Sequence, residues 1–245
     1  MKIAGAIALV TGANRGLGLA FARALLEAGA AKVYAAARNP ATVTLPGVVP
    51  LKLDVTRDED VAAAARDAAD VTLLVNNAGI ATLGGFLGDS AVEAARDQFE
   101  VNFFGPLRLA RAFAPVLAKN GGGGLINVLS VASWMNSPML ATYGASKSAA
   151  WALTNGLRIE LEAQGTQVLG LHAGFIDTDL ARGVEAPKSA PETVVKITLE
   201  ALERGEKQVL ADEISRQVHG GLSADHPVYL GNPGAQRSDA SPAVR

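Results

Sequence analysis

Short runs of apolar residues alternate with segments of helical periodicity along most of the chain. The runs that predict strands are Ala6–Val10, Lys32–Ala37, Val48–Leu53, Val71–Val75, Leu125–Leu129, Thr166–Leu171 and Lys207–Leu210. Helical segments between consecutive strands indicate parallel βαβ units whose sheet is covered on both faces. The pattern therefore predicts an α/β fold, a single domain with a doubly wound, mostly parallel seven-stranded sheet and helices on both faces.

The segments between the strands carry the helical pattern. In the first of them Leu17, Phe21 and Leu25 share one helical face, and Gly29 suits a C-terminal cap. The other predicted helices are Asp58–Ala69, about Asp89 to Lys119 with an interruption near Gly105 and Pro106, Thr142–Ala163 and Pro191–Arg204. We expect the domain to span residues 1–230, with a substrate loop near residues 179–195. Residues 231–245 are rich in Gly, Pro, Ser and charge, which predicts a disordered tail.

Composition narrows the function classes without selecting one. The 245 residues carry a net charge of −2 with no run of basic residues, so we expect no nucleic-acid partner. The absence of cysteine excludes disulfides and thiolate metal sites, and the scattered histidines predict no metal. No apolar run reaches the roughly 18 residues of a membrane span. We expect a cytoplasmic protein without a signal peptide, because removing the N-terminus would delete the first strand.

A glycine-rich turn joins the first strand to the first helix. It reads Thr11-Gly12-Ala13-Asn14-Arg15-Gly16-Leu17-Gly18. Glycines there permit a tight turn and close backbone approach to a pyrophosphate, which the helix N-terminus attracts. The alternative is a glycine-rich turn without a ligand. The ligand hypothesis predicts a Rossmann fold, with cofactor contacts from Gly12, Asn14, Arg15, Gly16, Leu17 and Gly18.

The end of the second strand bears on which dinucleotide would bind. NAD-binding Rossmann units place an acidic residue about 20 positions after the glycines, where it holds the ribose 2′-hydroxyl. Here that position is Arg38, and Arg15 lies within the turn itself. Guanidinium groups suit a 2′-phosphate. The two arginines therefore favour NADP(H), unless both are only solvated surface residues.

Tyr143 and Lys147 are four residues apart in a predicted helix, so they share one face about one turn apart. A nearby ammonium favours the phenolate, and we therefore expect Lys147 to lower the pKa of Tyr143 and make it a usable general acid and base. Ser130 ends the fifth strand, 13 residues earlier. Ligands of open parallel sheets bind beyond the carboxyl ends of strands, so Ser130 is placed to contact a substrate oxygen.

Asn102 lies in the long helical region, where Pro106 would disturb the hydrogen-bond ladder. It could hold a water near the site, or it could be a buried amide that satisfies a freed carbonyl. The set Asn102, Ser130, Tyr143 and Lys147, together with the TGxxxGxG spacing of the turn, resembles the classical short-chain dehydrogenase/reductase family. Further matching segments are Asn76-Asn77-Ala78-Gly79, Asp54-Val55 and Gly174-Phe175-Ile176-Asp177-Thr178.

The resemblance implies a role for each matching residue. Tyr143 would donate a proton to the carbonyl oxygen, Ser130 would polarise that oxygen, and Lys147 would also bind the nicotinamide ribose. Asn102 would hold a water in a proton relay. The cofactor contacts that the resemblance adds are Asp54, Val55, Asn77, Ala78, Gly79, Tyr143, Lys147, Gly174, Ile176 and Thr178. The chain departs from the family in Ala173-Gly174 for Pro-Gly, in Leu129-Ser130 for Ser-Ser, and in lacking Val-Asp-Gly-Gly near its end.

Three functions fit these features. The leading one is an NADP(H)-dependent carbonyl reductase or alcohol dehydrogenase acting on a small apolar carbonyl or alcohol. The second is a 3-oxoacyl carrier-protein reductase, and the third is a non-catalytic NADP-sensing regulator, which would need no proton relay. We expect a homo-oligomer, a dimer or tetramer. The candidates for the substrate pocket are mostly apolar, namely Leu83, Trp134, Met135, Met139, Leu140, Phe175 and Leu180.

Overall fold

The computed structural model describes residues 1–231, and in it seven parallel strands form one sheet. The strands are β1 Ile7–Thr11, β2 Lys32–Ala37, β3 Val49–Lys52, β4 Leu73–Asn76, β5 Gly124–Val128, β6 Gln167–His172 and β7 Gln208–Leu210. Their order across the sheet is β3-β2-β1-β4-β5-β6-β7, and every neighbouring pair is parallel. The predicted α/β Rossmann fold is confirmed, and the observed strand ends lie within two residues of the predicted ends.

Seven helices connect or follow the strands in the described part of the chain. They are α1 Gly16–Glu27, α2 Asp58–Asp67, α3 Ala91–Phe99, α4 Gly105–Lys119, α5 Ala141–Glu160, α6 Pro191–Glu203 and α7 Glu213–Gly220. A π-helical turn, Glu100–Phe104, separates α3 from α4 where the sequence predicts an interruption. Helix α7 was not predicted from the sequence; it is short and begins with a capping box between Asp212 and Ser215.

The sheet has one apolar core on each face, which is the double winding that the sequence predicts. On one face α1 and α6 cover the strands, with Phe21 and Val194 fully buried between them. On the other face α2, α4 and α5 cover the sheet through side chains such as Phe113 and Leu157. Both surfaces of every central strand are therefore buried, which explains why these strands read as continuous apolar runs.

The strand order reverses between β1 and β4, so the connections after these two strands leave in opposite directions. A crevice opens at such a switch point, beyond the carboxyl ends of the strands, and it is the usual ligand site of open α/β sheets. The glycine turn follows β1 and the Asn77–Gly79 segment follows β4, so the fold brings both to this crevice.

The C-terminal tail predicted over residues 231–245 lies outside the described residues from residue 232 onward. Among the helices of residues 1–231, none combines the length and the apolar character needed to span a membrane.

Candidate active site

The glycine turn forms a cradle at the N-terminus of α1. Gly12 and Gly16 have φ values of +65° and +53°, which side chains other than glycine rarely adopt. A Cβ at Gly18 would clash with the carbonyl oxygen of Gly12 and lie 2.6 Å from Nδ2 of Asn77. No acidic residue lies in the first turn of α1 to oppose an anion. The cradle therefore fits a dinucleotide pyrophosphate, which would face free N–H groups and the positive end of the helix dipole.

Hydrogen bonds join the cradle to the segment after β4. The Thr11 hydroxyl oxygen accepts from the backbone N–H groups of Asn77 and Ala78 at 3.0 and 2.9 Å. The Asn77 side-chain amide donates to the Thr11 carbonyl oxygen at 2.8 Å. Asn77 thus braces the turn through its side chain, and the two segments form a single floor for the crevice. Leu17 also has a supporting position, because its side chain is buried in the core beneath the turn.

The two arginines that favour NADP(H) have different surroundings. Arg38 follows β2, is exposed, and forms no ion pair with any residue between 1 and 231. Arg15 is also exposed, and its Nη1 lies 3.3 Å from the carboxylate of Asp179 in the loop after β6. Within residues 1–231, Arg38 is therefore the one of the two arginines that is not held by a carboxylate.

The Asp54-Val55 pair follows β3 and has mainly local partners. One carboxylate oxygen of Asp54 accepts from the N–H and the hydroxyl of Thr56, and the Asp54 N–H donates to Asp60. Val55 is buried against the start of α4, where a Cβ at Gly105 would lie 2.9 Å from Val55 Cγ2. These contacts fix the chain between β3 and α2 at the same end of the sheet as Arg38.

Lys147 lies one helical turn after Tyr143 on α5 and is 5% exposed. Its ammonium donates to the Val128 carbonyl oxygen at 2.8 Å and lies 5.7 Å from the centre of the Tyr143 ring. Burial lowers the pKa of Lys147 to about 8, because the charged form loses solvation. Lys147 is thus a buried cation beside the phenol ring, held in place by the end of β5.

Ser130 follows β5 and caps the short 3₁₀ turn Val131–Ser133, with its hydroxyl oxygen accepting from the Ala132 N–H at 3.1 Å. Burial raises the pKa of Tyr143 to about 12, and a hydrogen bond with the Ser130 side chain opposes that rise. The expected lowering of the Tyr143 pKa by Lys147 is therefore not found in this arrangement. Desolvation of the phenolate sets the direction instead, and the phenol is protonated at neutral pH.

Asn102 lies in the π-helical turn and is 1% exposed. Its amide nitrogen donates to the Ile80 carbonyl and to the Ser146 hydroxyl, both at 2.9 Å, and its amide oxygen accepts from the Ile80 N–H at 3.0 Å. Both side-chain donors are thus used by protein groups, and the carbonyl that Asn102 satisfies is that of Ile80 after β4, not one freed from the helical ladder near Pro106. A Cβ at Gly79 would lie 3.2 Å from Asn102 Oδ1 and 3.7 Å from Lys147 Nζ, so Gly79 leaves room between them.

The Gly174–Thr178 segment follows β6 and faces the cradle. A Cβ at Gly16 would lie 3.3 Å from the Thr178 side chain, which places Thr178 beside the glycine turn. The Gly174 N–H donates to the Asp212 carboxylate at 2.6 Å, and Ile176 pairs with Ser189 in an isolated parallel bridge. The bridge between Ile176 and Ser189 joins the start of the loop between β6 and α6 to its end.

The apolar pocket candidates divide into two groups. Leu83, Met139 and Leu180 are largely exposed around the crevice. The Leu83 and Met139 loops are joined, because Gly84 N–H donates to the Met139 carbonyl oxygen at 2.9 Å. The other four candidates are partly buried, namely Trp134, Met135, Leu140 and Phe175. The Trp134 indole also stacks on His172 with ring centres 3.8 Å apart.

Three residues close to the site were not singled out from the sequence. Gln98 is fully buried, donates to the Thr142 hydroxyl at 2.6 Å, and so fixes the start of α5 one residue before Tyr143. Asp212 holds Gly174, and His172 contacts the backbone of Ser130. The available sequence signal for His172 was a polar residue at the end of an apolar run, whereas Gln98 lies among charged residues and carries no such signal.

Comparison with known proteins agrees with this geometry. A family model described as short chain dehydrogenase matches residues 6–189. The short chain dehydrogenase tazN of Aspergillus terreus is 34% identical over 76% of this chain, which spans 44% of that relative's length. A short chain dehydrogenase from Burkholderia cenocepacia J2315, solved in complex with NADP, is 44% identical with a TM-score of 0.88, and the match covers 92% of this chain and 95% of that one. A short chain dehydrogenase/reductase from Burkholderia phymatum, in complex with NAD, is 26% identical with a TM-score of 0.79 and coverage of 91% and 95%.

The family match extends over most of the chain and includes the glycine turn, Ser130 and the Tyr143–Lys147 pair. The chain therefore belongs to the classical short-chain dehydrogenase/reductase family, whose members are oxidoreductases that use a nicotinamide cofactor.

Proposed function

We propose that the protein is an NADP(H)-dependent oxidoreductase that reduces ketones or aldehydes to alcohols and catalyses the reverse reaction. The observation that carries this proposal is the meeting of three groups at the end of β5. Tyr143 supplies a protonated phenol, Ser130 a hydroxyl that lowers the pKa of that phenol, and Lys147 a buried ammonium beside its ring. All three lie at the same edge of the sheet as the glycine cradle.

During reduction, bound NADPH supplies the hydride that the carbonyl carbon accepts. The Ser130 hydroxyl donates a hydrogen bond to the carbonyl oxygen, which stabilises the negative charge that develops there. Tyr143 then transfers its phenolic proton to that oxygen, so the product is a neutral alcohol. The tyrosinate that remains lies beside the Lys147 ammonium, whose positive charge favours it. In the reverse direction the same tyrosinate removes the proton from the alcohol.

The raised pKa of Tyr143 has a direct consequence for this cycle. A phenol with a pKa near 12 holds its proton at neutral pH and is ready to act as an acid. It is a poor base until a positive charge close by favours the tyrosinate. Lys147 has a pKa of about 8 and is therefore mostly charged at neutral pH. Asn102 contributes by holding Ile80 and Ser146, which fixes the wall of the crevice next to Tyr143.

The preference for NADP(H) over NAD(H) rests on this chain's own residues. The position after β2 that would hold a ribose 2′-hydroxyl through a carboxylate carries Arg38. Arg15 lies in the glycine turn and Arg38 directly after β2, and both can donate to a phosphate. The neighbour solved with NADP is 44% identical and the one solved with NAD is 26% identical, which favours the same choice.

We further propose that the substrate is a small apolar carbonyl compound or alcohol. Leu83, Met139 and Leu180 present apolar surface around the crevice. In the loop that carries Leu180, the guanidinium of Arg182 is paired with the carboxylate of Asp179. An anionic substrate would lose solvation at the apolar surface of the crevice.

The test is a turnover assay with purified protein. NADPH consumption is followed with a panel of ketones and aldehydes, with a 3-oxoacyl carrier-protein thioester, and without substrate. The proposal expects turnover with an apolar ketone. A reaction confined to the carrier-protein thioester would assign the second function, and binding of NADPH without turnover of any carbonyl would contradict the enzymatic proposal. Tyr229→Phe, at an exposed tyrosine, is the matched control for Tyr143→Phe and should turn over ketones at the wild-type rate.

A further inference from the structure

A buried histidine lies behind Ser130 and plays no part in the mechanism above. His172 is the last residue of β6 and is 1% exposed. Its Nδ1 lies 3.2 Å from the main-chain carbonyl oxygen of Ser130. The residues on either side of Ser130 pair with the backbone of the neighbouring chain, since Leu129 and Val131 donate to Leu171 and Ala173. The ring therefore bonds the carbonyl that lies between these two backbone contacts.

The contact fixes the protonation state of the ring. A carbonyl oxygen only accepts hydrogen bonds, so Nδ1 must carry the proton. A second proton is opposed by burial, which the hydrogen bond to the Ser130 carbonyl only partly offsets, and then by the charges of His219, Arg158 and Lys147. The net effect lowers the pKa of His172 to about 4. Around neutral pH the ring is therefore neutral and remains an Nδ1–H donor to Ser130.

The His172 ring also takes part in an aromatic stack. The His172 ring lies on the Trp134 indole with an angle of 18° between the planes. Trp134 follows the 3₁₀ turn that Ser130 caps, and its edge meets Trp151 of α5 and His219 of α7. One imidazole thus contacts both ends of the turn, the Ser130 carbonyl at its start and the indole at its end.

We propose that His172 is a positioning residue that holds Ser130 in the orientation in which its hydroxyl meets Tyr143 and the substrate oxygen. The inference rests on the proposed carbonyl reduction. Burying an imidazole costs free energy that only a hydrogen bond recovers, whereas an apolar side chain would fill the same space without that cost. Loss of that bond would free the Ser130 backbone and misplace its hydroxyl relative to the phenol.

Two substitutions separate the hydrogen bond from the packing. His172→Phe keeps a ring for the Trp134 stack and removes the donor, whereas His172→Asn keeps a donor near the Nδ1 position and removes the ring. We expect His172→Phe to lower kcat about tenfold with the KM for NADPH changed by less than about twofold. His172→Asn should recover most of the lost kcat. His226→Phe, at an exposed histidine, is the control.

The pH profile supplies a readout that packing alone would not move. The hydrogen bond from Ser130 holds down the pKa of Tyr143, so the apparent pKa in the kcat profile should rise in His172→Phe and return in His172→Asn. An unchanged kcat and profile in His172→Phe would overturn the proposal. So would equal losses in both variants, because they would assign His172 to packing alone.

Nitrogen NMR of the wild-type full chain tests the hydrogen bond without using activity. We expect a protonated Nδ1 and an unprotonated Nε2 on His172, unchanged between about pH 5.5 and 8.5. A ring with its proton on Nε2 would overturn this proposal even if carbonyl turnover is normal. Absence of carbonyl turnover in the wild type, together with the expected tautomer, would instead contradict the proposed function on which the positioning role depends.

Discussion

Arg38→Asp should reverse the cofactor preference of the enzyme. A hydrogen bond to a charged group contributes roughly 1.5–3 kcal/mol, which corresponds to about 10- to 150-fold in affinity. Arg38 has no carboxylate partner among residues 1–231, so its contribution to 2′-phosphate binding is not reduced by a competing ion pair. The substituted carboxylate would repel the phosphate and could accept from a ribose 2′-hydroxyl. We expect the ratio of NADPH to NADH affinity to fall by about 100-fold or more.

Arg15 should contribute less than Arg38 to the same preference. To reach a phosphate its guanidinium must leave Asp179, and an exposed ion pair of this kind is worth about 0–1 kcal/mol. Arg15→Ala should therefore lower the NADPH to NADH ratio less than a matched Arg38→Ala. Asp179→Ala should raise NADPH affinity slightly, by at most about fivefold, because it releases Arg15.

The assay is the dissociation constant of each cofactor, measured by fluorescence titration at fixed ionic strength. Arg23→Asp is the control, because Arg23 is an exposed arginine on α1 that takes no part in the cradle. The reasoning is refuted if Arg38→Asp leaves the ratio within about threefold of the wild-type ratio, or if Arg23→Asp lowers it as much.

Three further predictions concern the cradle, the substrate and the acid stability. Gly18→Ala should abolish cofactor binding, because the added Cβ would clash with the Gly12 carbonyl oxygen. The far-ultraviolet circular dichroism should stay as in the wild type. Intact cofactor binding would contradict the close approach of the backbone at the cradle. The kcat/KM for an aryl alkyl ketone should exceed that for a 2-oxo acid of similar size, and the opposite order would direct attention to Arg182 or Lys188. Because the pKa of His172 is lowered to about 4 in the folded protein, the unfolded chain takes up a proton on this residue below about pH 6.5, where the folded protein does not. The free energy of unfolding of the wild type should therefore fall by up to roughly 3 kcal/mol between about pH 6.5 and 4. Denaturant titrations should show a smaller fall in His172→Phe.

Local patterns account for the parts of the fold that the sequence predicted well. Buried parallel strands leave uninterrupted apolar runs, and β2 was predicted with the same ends that the structure has. Helix α7 was missed because it has only eight residues and two apolar side chains, Ile214 and Val218. Its stability depends on the Asp212 cap and on the contact between Asp212 and Gly174, which are 38 residues apart.

The site shows the same division between local and long-range information. The spacing of the glycines and of the Tyr143–Lys147 pair is local, so their positions could be predicted. The direction of the Tyr143 pKa depends on burial by distant elements, which a spacing argument does not contain. The stack of Trp134 on His172 joins residues that are 38 positions apart, so no local pattern could predict it.

The most direct test of the central claim is the turnover of Tyr143→Phe with NADPH and an apolar ketone that the wild type reduces. The substitution removes only the phenolic hydroxyl, and general acid catalysis typically contributes about 10²–10⁴-fold. We predict a loss of kcat in that range, with the dissociation constant for NADPH within about threefold of the wild-type value. A Tyr143→Phe enzyme that kept about a tenth or more of the wild-type kcat would contradict the assignment of Tyr143 as the proton donor.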